Sequence, residues 1–125
     1  MKKAVVIALA LVMVALFAGC GLQSQLAGTK WEQVQESGFS KTIITLSFEK
    51  GNEYKESCDV YYDGTFIAEG SYSNTGKWAV DGDELTITYT DSVSFTYRVE
   101  IDGDTLKLFD PDDDSYYYPF TRVTE

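Results

Sequence analysis

The sequence predicts an all-β fold, an antiparallel up-and-down meander closing into a small barrel of eight or nine strands, with a β-sandwich as the alternative. Three observations predict it. Apolar and polar residues alternate with period two through most of the chain beyond Lys30, the pattern of a sheet with one buried and one wet face. Pairs of Gly with Asn or Asp break the runs where hairpin turns need positive φ. No long stretch of that region has helical spacing of its apolar residues.

The chain begins with a positive Met1-Lys2-Lys3, and Ala4 to Ala18 then carry no charged or polar side chain. This run is short of the roughly 20 residues that a bilayer-spanning helix needs. A positive start, an apolar stretch and small residues before a cut site describe a secretory signal peptide over residues 1–19. Phe17-Ala18-Gly19-Cys20 resembles the lipobox of bacterial lipoproteins. The resemblance implies that Cys20 receives a diacylglycerol and that the chain is cut just before it. Apolar chains contribute about 0.8 kcal/mol per buried CH₂, so two or three of them anchor a protein stably. An ordinary cleaved signal or an uncleaved anchor is the alternative. Cleavage would also remove Lys2 and Lys3 and leave the mature chain more acidic. Gly21 is not the Asp that, in some Gram-negative lipoproteins, retains the product at the inner membrane. The expected location is therefore the cell envelope, on a membrane's extracytoplasmic side.

Residues 20–28 read as a lipidated cysteine and a short flexible tether, and residues 29–125 as one domain. Ile44, Leu46 and Phe48 alternate with Thr45 and Ser47, and Leu85, Ile87 and Tyr89 with Thr86 and Thr88. The longest run is Val93, Phe95, Tyr97, Val99 and Ile101, and the last is Tyr116, Tyr118 and Phe120. The expected strands are 30–36, 41–49, 53–61, 65–72, 77–80, 84–90, 93–101, 105–109 and 115–123. Hairpin turns are expected at Gly51-Asn52, Asp63-Gly64, Asn74-Thr75-Gly76, Asp81-Gly82-Asp83 and Asp102-Gly103-Asp104. Pro119 cannot donate to a ladder, so it marks a bulge, a seam or an edge in the final strand. So many short strands would expose long edges unless the sheet closed on itself.

The composition excludes several functions. A net charge of −10 repels phosphate backbones and argues against nucleic acid. The chain has no histidine, which removes the usual general base and the commonest metal ligand. With no paired nucleophile and base, an enzyme is not expected, and neither is a cofactor. Once Cys20 carries lipid, Cys58 is alone, and its place in a strand predicts burial as a small hydrophobe. Asp110, Asp112 and Asp114 imitate the opening of a calcium loop, but Ser115 stands where glycine is needed and Thr121 where the bidentate glutamate belongs. That segment reads as a solvated turn.

From Leu26 to Val123 the sequence is similar to small bacterial lipocalin-like domains. The residues that carry the resemblance are Leu26-Ala27-Gly28-Thr29-Lys30-Trp31, the Phe66…Gly70-x-Tyr72 run, the two Asp-Gly-Asp turns followed by Leu85 and Leu106, and Tyr118-x-Phe120-x-Arg122. The resemblance implies that Trp31 plugs the closed end of a barrel with Arg122 packed over it. It also implies a cavity for a small apolar ligand.

The inward set is expected to be Trp31, Phe48, Tyr54, Phe66, Tyr72, Trp78, Tyr89, Phe95, Tyr97, Tyr116, Tyr118 and Phe120. A solid aromatic core is the alternative to a cavity. Buried tyrosine hydroxyls want partners that a ligand could supply, so Tyr72, Tyr89, Tyr97 and Tyr118 are candidate ligand-binding residues. Arg122, the one cation of inward parity in these runs, is a candidate for a ligand carboxylate. The expected function is a lipid-anchored carrier or sensor of a small apolar or amphipathic molecule. The alternative is an interaction protein whose acidic barrel surface binds a cationic protein or peptide in a salt-sensitive way.

Overall fold

The computed structural model describes residues 21–124; the expected signal peptide and the lipidation of Cys20 lie outside the described residues. Eight strands follow in order: β1 (Thr29–Ser37), β2 (Ser40–Phe48), β3 (Glu53–Tyr62), β4 (Thr65–Asp81), β5 (Glu84–Tyr89), β6 (Ser94–Asp102), β7 (Thr105–Asp110) and β8 (Asp113–Arg122). Each pairs antiparallel with the next, and β8 returns to β1, giving a closed up-and-down barrel rather than a sandwich. Closure removes the free edges that a linear meander would leave.

One expected turn is absent. Segments 65–72 and 77–80 belong to the single long β4, and Asn74-Thr75-Gly76 runs through it as strand. Gly76 is needed for a different reason. It pairs with Tyr54 of β3 on one side and Tyr89 of β5 on the other. A Cβ there would run into the Thr88 carbonyl. The glycine permits close backbone approach, which is the second meaning of an isolated strand glycine.

A bulge interrupts the β3–β4 pairing between Cys58 and Val60. The Val60 N–H donates to Ser71 Oγ at 2.9 Å, and that hydroxyl donates to the Ile67 carbonyl at 2.7 Å. The bulge shifts side-chain parity beyond it. Phe66 therefore does not point inward as expected; it is 52% exposed and lies against Tyr61, with ring centroids 5.8 Å apart. Tyr116 is likewise exposed, at the rim beside Tyr118.

The tether is also corrected. Residues 21–26 form a short helix, α1, whose Leu22 and Leu26 belong to the hydrophobic core. Leu26 is fully buried with Trp31, Phe48, Trp78, Leu85 and Leu106 at the closed end. Two apolar residues four apart give α1 one greasy stripe, and the barrel floor covers it. Each such side chain contributes about 1.5–3 kcal/mol on burial.

Hydrogen bonds satisfy the polar atoms of this floor. Trp31 Nε1 donates to Thr29 Oγ1 at 2.8 Å, and the Thr29 hydroxyl donates to the Leu26 carbonyl. Trp78 Nε1 donates to the Glu49 carbonyl at 3.0 Å, and Asn52 Nδ2 to the Trp78 carbonyl at 2.8 Å, so the β2–β3 turn is clasped to β4.

The β1–β8 seam is short. Only Trp31↔Arg122 and Glu32↔Thr121 pair in register. Beyond them the Gln33 side-chain amide donates to the Pro119 carbonyl at 2.9 Å, taking over from the backbone ladder. Pro119 thus sits beside a seam, one of the places a strand proline can occupy.

Candidate functional site

Alternation along eight strands sends one set of side chains into the barrel. Near α1 that set is large and fills the floor. Toward the opposite end, where the β1–β2, β3–β4, β5–β6 and β7–β8 turns lie, the filling stops short and leaves a cup of about 390 Å³. The volume falls at the lower end of small-molecule pockets, which run from about 300 to 1,000 Å³.

Apolar and aromatic side chains form most of the wall: Ile44, Leu46, Tyr54, Tyr72, Ile87, Tyr89, Phe95, Tyr97, Leu108, Tyr118 and Phe120. Glu56, Gln33 and Gln35 supply the remaining polar groups. An aromatic series climbs from floor to mouth. Trp78 meets Phe48 at 5.6 Å, Phe48 meets Tyr54 at 5.5 Å, Tyr54 meets Tyr89 at 6.0 Å and Tyr89 meets Phe95 at 6.0 Å. Most of these contacts are edge-to-face, the arrangement ring quadrupoles favour.

Glu56 organises the polar side of the cup. Its Oε1 accepts hydrogen bonds from Tyr54 Oη at 2.7 Å and Tyr89 Oη at 2.9 Å. Burial, and then the Glu56 charge, push the ionisation of both tyrosines far above the ordinary range. The same two causes, in the same order, raise Tyr72 and Tyr97. The Cys58 thiol is buried on β3 and shifted up by desolvation, with Asp59 and Glu56 adding to it. A protonated, buried thiol is chemically quiet.

Of the expected ligand-binding residues, Tyr72, Tyr89, Tyr97 and Tyr118 all line the cup. Arg122 does not. Its register opposite Trp31 puts it at the closed end, with the guanidinium carbon 4.4 Å from the Trp31 ring centroid and Nε 3.5 Å from Asp104 Oδ1. Its inward parity is real, but parity does not give height in the barrel. Trp31 below it is fully buried, the geometry of a capped plug.

Sequence reading missed Glu56, Gln33 and Gln35. The signal was present, since Glu56 shares parity with Tyr54 and Cys58, and the two glutamines share it with Trp31. The acidic turn folds back on itself. Asp110 Oδ1 accepts the Asp112 N–H at 2.8 Å, and Asp113 Oδ1 accepts both the N–H and the hydroxyl of Ser115.

The family profile described as "Lipocalin-like domain" matches residues 26–108, well over half of the chain. The chain belongs to the lipocalin-like domain family. Its barrel also resembles the crystal structure of the Cpx pathway activator NlpE from Escherichia coli, with a TM-score of 0.52 and 22% sequence identity. That likeness covers 78% of this chain and 50% of the NlpE chain, and at such identity it shows the fold alone. Among curated protein sequences, none is recognisably similar to this one. For this lipocalin-like chain, shared family means a shared barrel; what its cup holds depends on the residues within it.

Proposed function

We propose that this chain is a lipid-anchored protein of the cell envelope whose barrel holds a small amphipathic molecule, and that it binds rather than catalyses. The observation that carries the reading is the cup: a wall of apolar and aromatic side chains onto which a few polar groups converge, as small-molecule sites are built. The anchor rests on Phe17-Ala18-Gly19-Cys20. Gly21 lines an open hollow at the closed end with Gly82 and Ile101, so a lipid on Cys20 would tether the floor and leave the mouth facing away from the bilayer.

Native mass spectrometry of the protein extracted gently from its own host tests the binding role. A bound mass released on mild denaturation supports it and identifies the molecule. A bare mass that stays bare after medium-chain amphiphiles are added overturns it and turns attention to salt-sensitive cationic protein partners. Metabolic labelling with a fatty acid tests the anchor; label that persists in Cys20→Ser would rule it out.

A further inference from the structure

We infer that the molecule held in the cup carries a cationic amine. The inference rests on the binding role proposed above and adds the ligand's charge to it.

Among the described residues lining the cup, Glu56 is the one charged side chain, and no lysine or arginine lines the wall beside it. Cations of the neighbouring strands are engaged outside. Lys55 pairs with Glu49 at 3.2 Å, Arg98 bonds Glu100 at 2.9 Å while lying over Phe109, and Lys107 lies over Tyr117. Glu56 is half-buried and has no countercharge in the cup, so its carboxylate gains from pairing with a cation. Tyr54 and Tyr89 both donate to Oε1, and the Tyr72 hydroxyl also faces this carboxylate. A carboxylate offers about four acceptor positions, so an ammonium group can add to these donors.

The rings improve the fit. Tyr72, Phe95, Tyr97 and Tyr118 line the same cup, and aromatic faces attract cations within about 6 Å of the ring centre. The ligand's apolar part would rest on Ile44, Ile87 and Leu108. An anionic amphiphile would meet the Glu56 carboxylate inside the cup, and like charges repel. The approach has the same sign. The mouth turns carry Asp63, Asp91, Asp110 and Asp112, which raise the local concentration of cations.

The test uses the purified full chain and three probes with the same short tail: hexylamine, hexanol and hexanoate. Occupancy is followed by native mass spectrometry over a concentration series. Hexylamine should half-saturate the protein at a concentration at least about tenfold below hexanol, the advantage of a charge-assisted hydrogen bond, with hexanoate weakest. Glu56→Gln should bring hexylamine to the level of hexanol while hexanol still binds, which also shows that the cup is intact. Hexanol or hexanoate binding as tightly as hexylamine, or an amine advantage that survives Glu56→Gln, would overturn the charge assignment and leave the cup as a binding site. If none of the three binds, the binding role falls, and this inference with it.

Discussion

The hydroxyls of Tyr54 and Tyr89 meet on one oxygen of Glu56, at 2.7 and 2.9 Å. The two rings lie 6.0 Å apart, nearly perpendicular, and come from β3 and β5, which flank β4 at Gly76. A Cβ at Gly76 would run into the Thr88 carbonyl and the Tyr89 Cα, so the bare glycine lets β5 approach β4 closely beside this pair.

Gly76→Ala should accordingly destabilise the barrel by about 2 kcal/mol or more, because the new methyl meets the Thr88 backbone, which cannot swing aside. Urea unfolding followed by tryptophan fluorescence would measure it. A loss under about 0.5 kcal/mol would mean that β4 and β5 separate easily there.

Tyr54→Phe should cost about 1–3 kcal/mol, since it removes a hydrogen bond to a carboxylate at a nearly fully buried site. Tyr89→Phe should cost less, as Tyr89 is only half-buried. Because both donate to the same oxygen, the two changes should not add, and a double-mutant cycle should return a coupling energy of about 0.5 kcal/mol or more.

Alkaline pH should unfold the protein through these same groups. Their ionisation in the folded state lies above the ordinary tyrosine value of 10.0, with burial the leading cause. The folded state thus keeps protons that the unfolded chain loses. The stabilisation is fully present below about pH 10 and is lost as pH climbs from there toward the folded values. Tyrosinate absorbance should show a rise above pH 10 that coincides with loss of tryptophan signal, as Tyr54 and Tyr89 ionise on unfolding. A single smooth titration of all tyrosines with the fold intact would contradict this.

Arg122→Ala should lower stability by about 0.5–2 kcal/mol by uncovering Trp31. It should leave binding in the cup unchanged, because Arg122 sits at the other end of the barrel. Loss of cup binding at full stability would reverse that placement.

Leu26→Ala should cost about 2–5 kcal/mol, as expected for a fully buried leucine. Thermal unfolding would test it. No change in melting temperature would mean that α1 is a tether after all.

The barrel was legible because a period-two pattern can satisfy only a sheet, and eight exposed-edge strands are stable chiefly when closed. Trp31, Tyr54, Tyr72, Tyr89, Tyr97 and Tyr118 could be placed indoors from alternation alone. Local rules then reached their limit. Asn74-Thr75-Gly76 has turn composition, yet pairing with strands on both sides held it extended. Phe66 has inward parity only until the bulge at Cys58 and Val60 shifts it. Leu22 and Leu26 looked like part of a tether because two leucines make a helix only when a greasy floor receives them.

What the sequence determined by itself was the antiparallel sheet, most of the residues facing inward and the excess of acid, since these follow from backbone geometry and charge. Closure into a barrel rather than a sandwich was settled by the fold. Tertiary structure decided the height of each inward residue along the barrel axis. Register sent Arg122 to the floor and Glu56 to the cup, where two tyrosines from separate strands meet it. Alternation fixes a face but carries no information about which residues on that face end as neighbours across three strands. That depends on strand stagger, which is set only when the barrel closes.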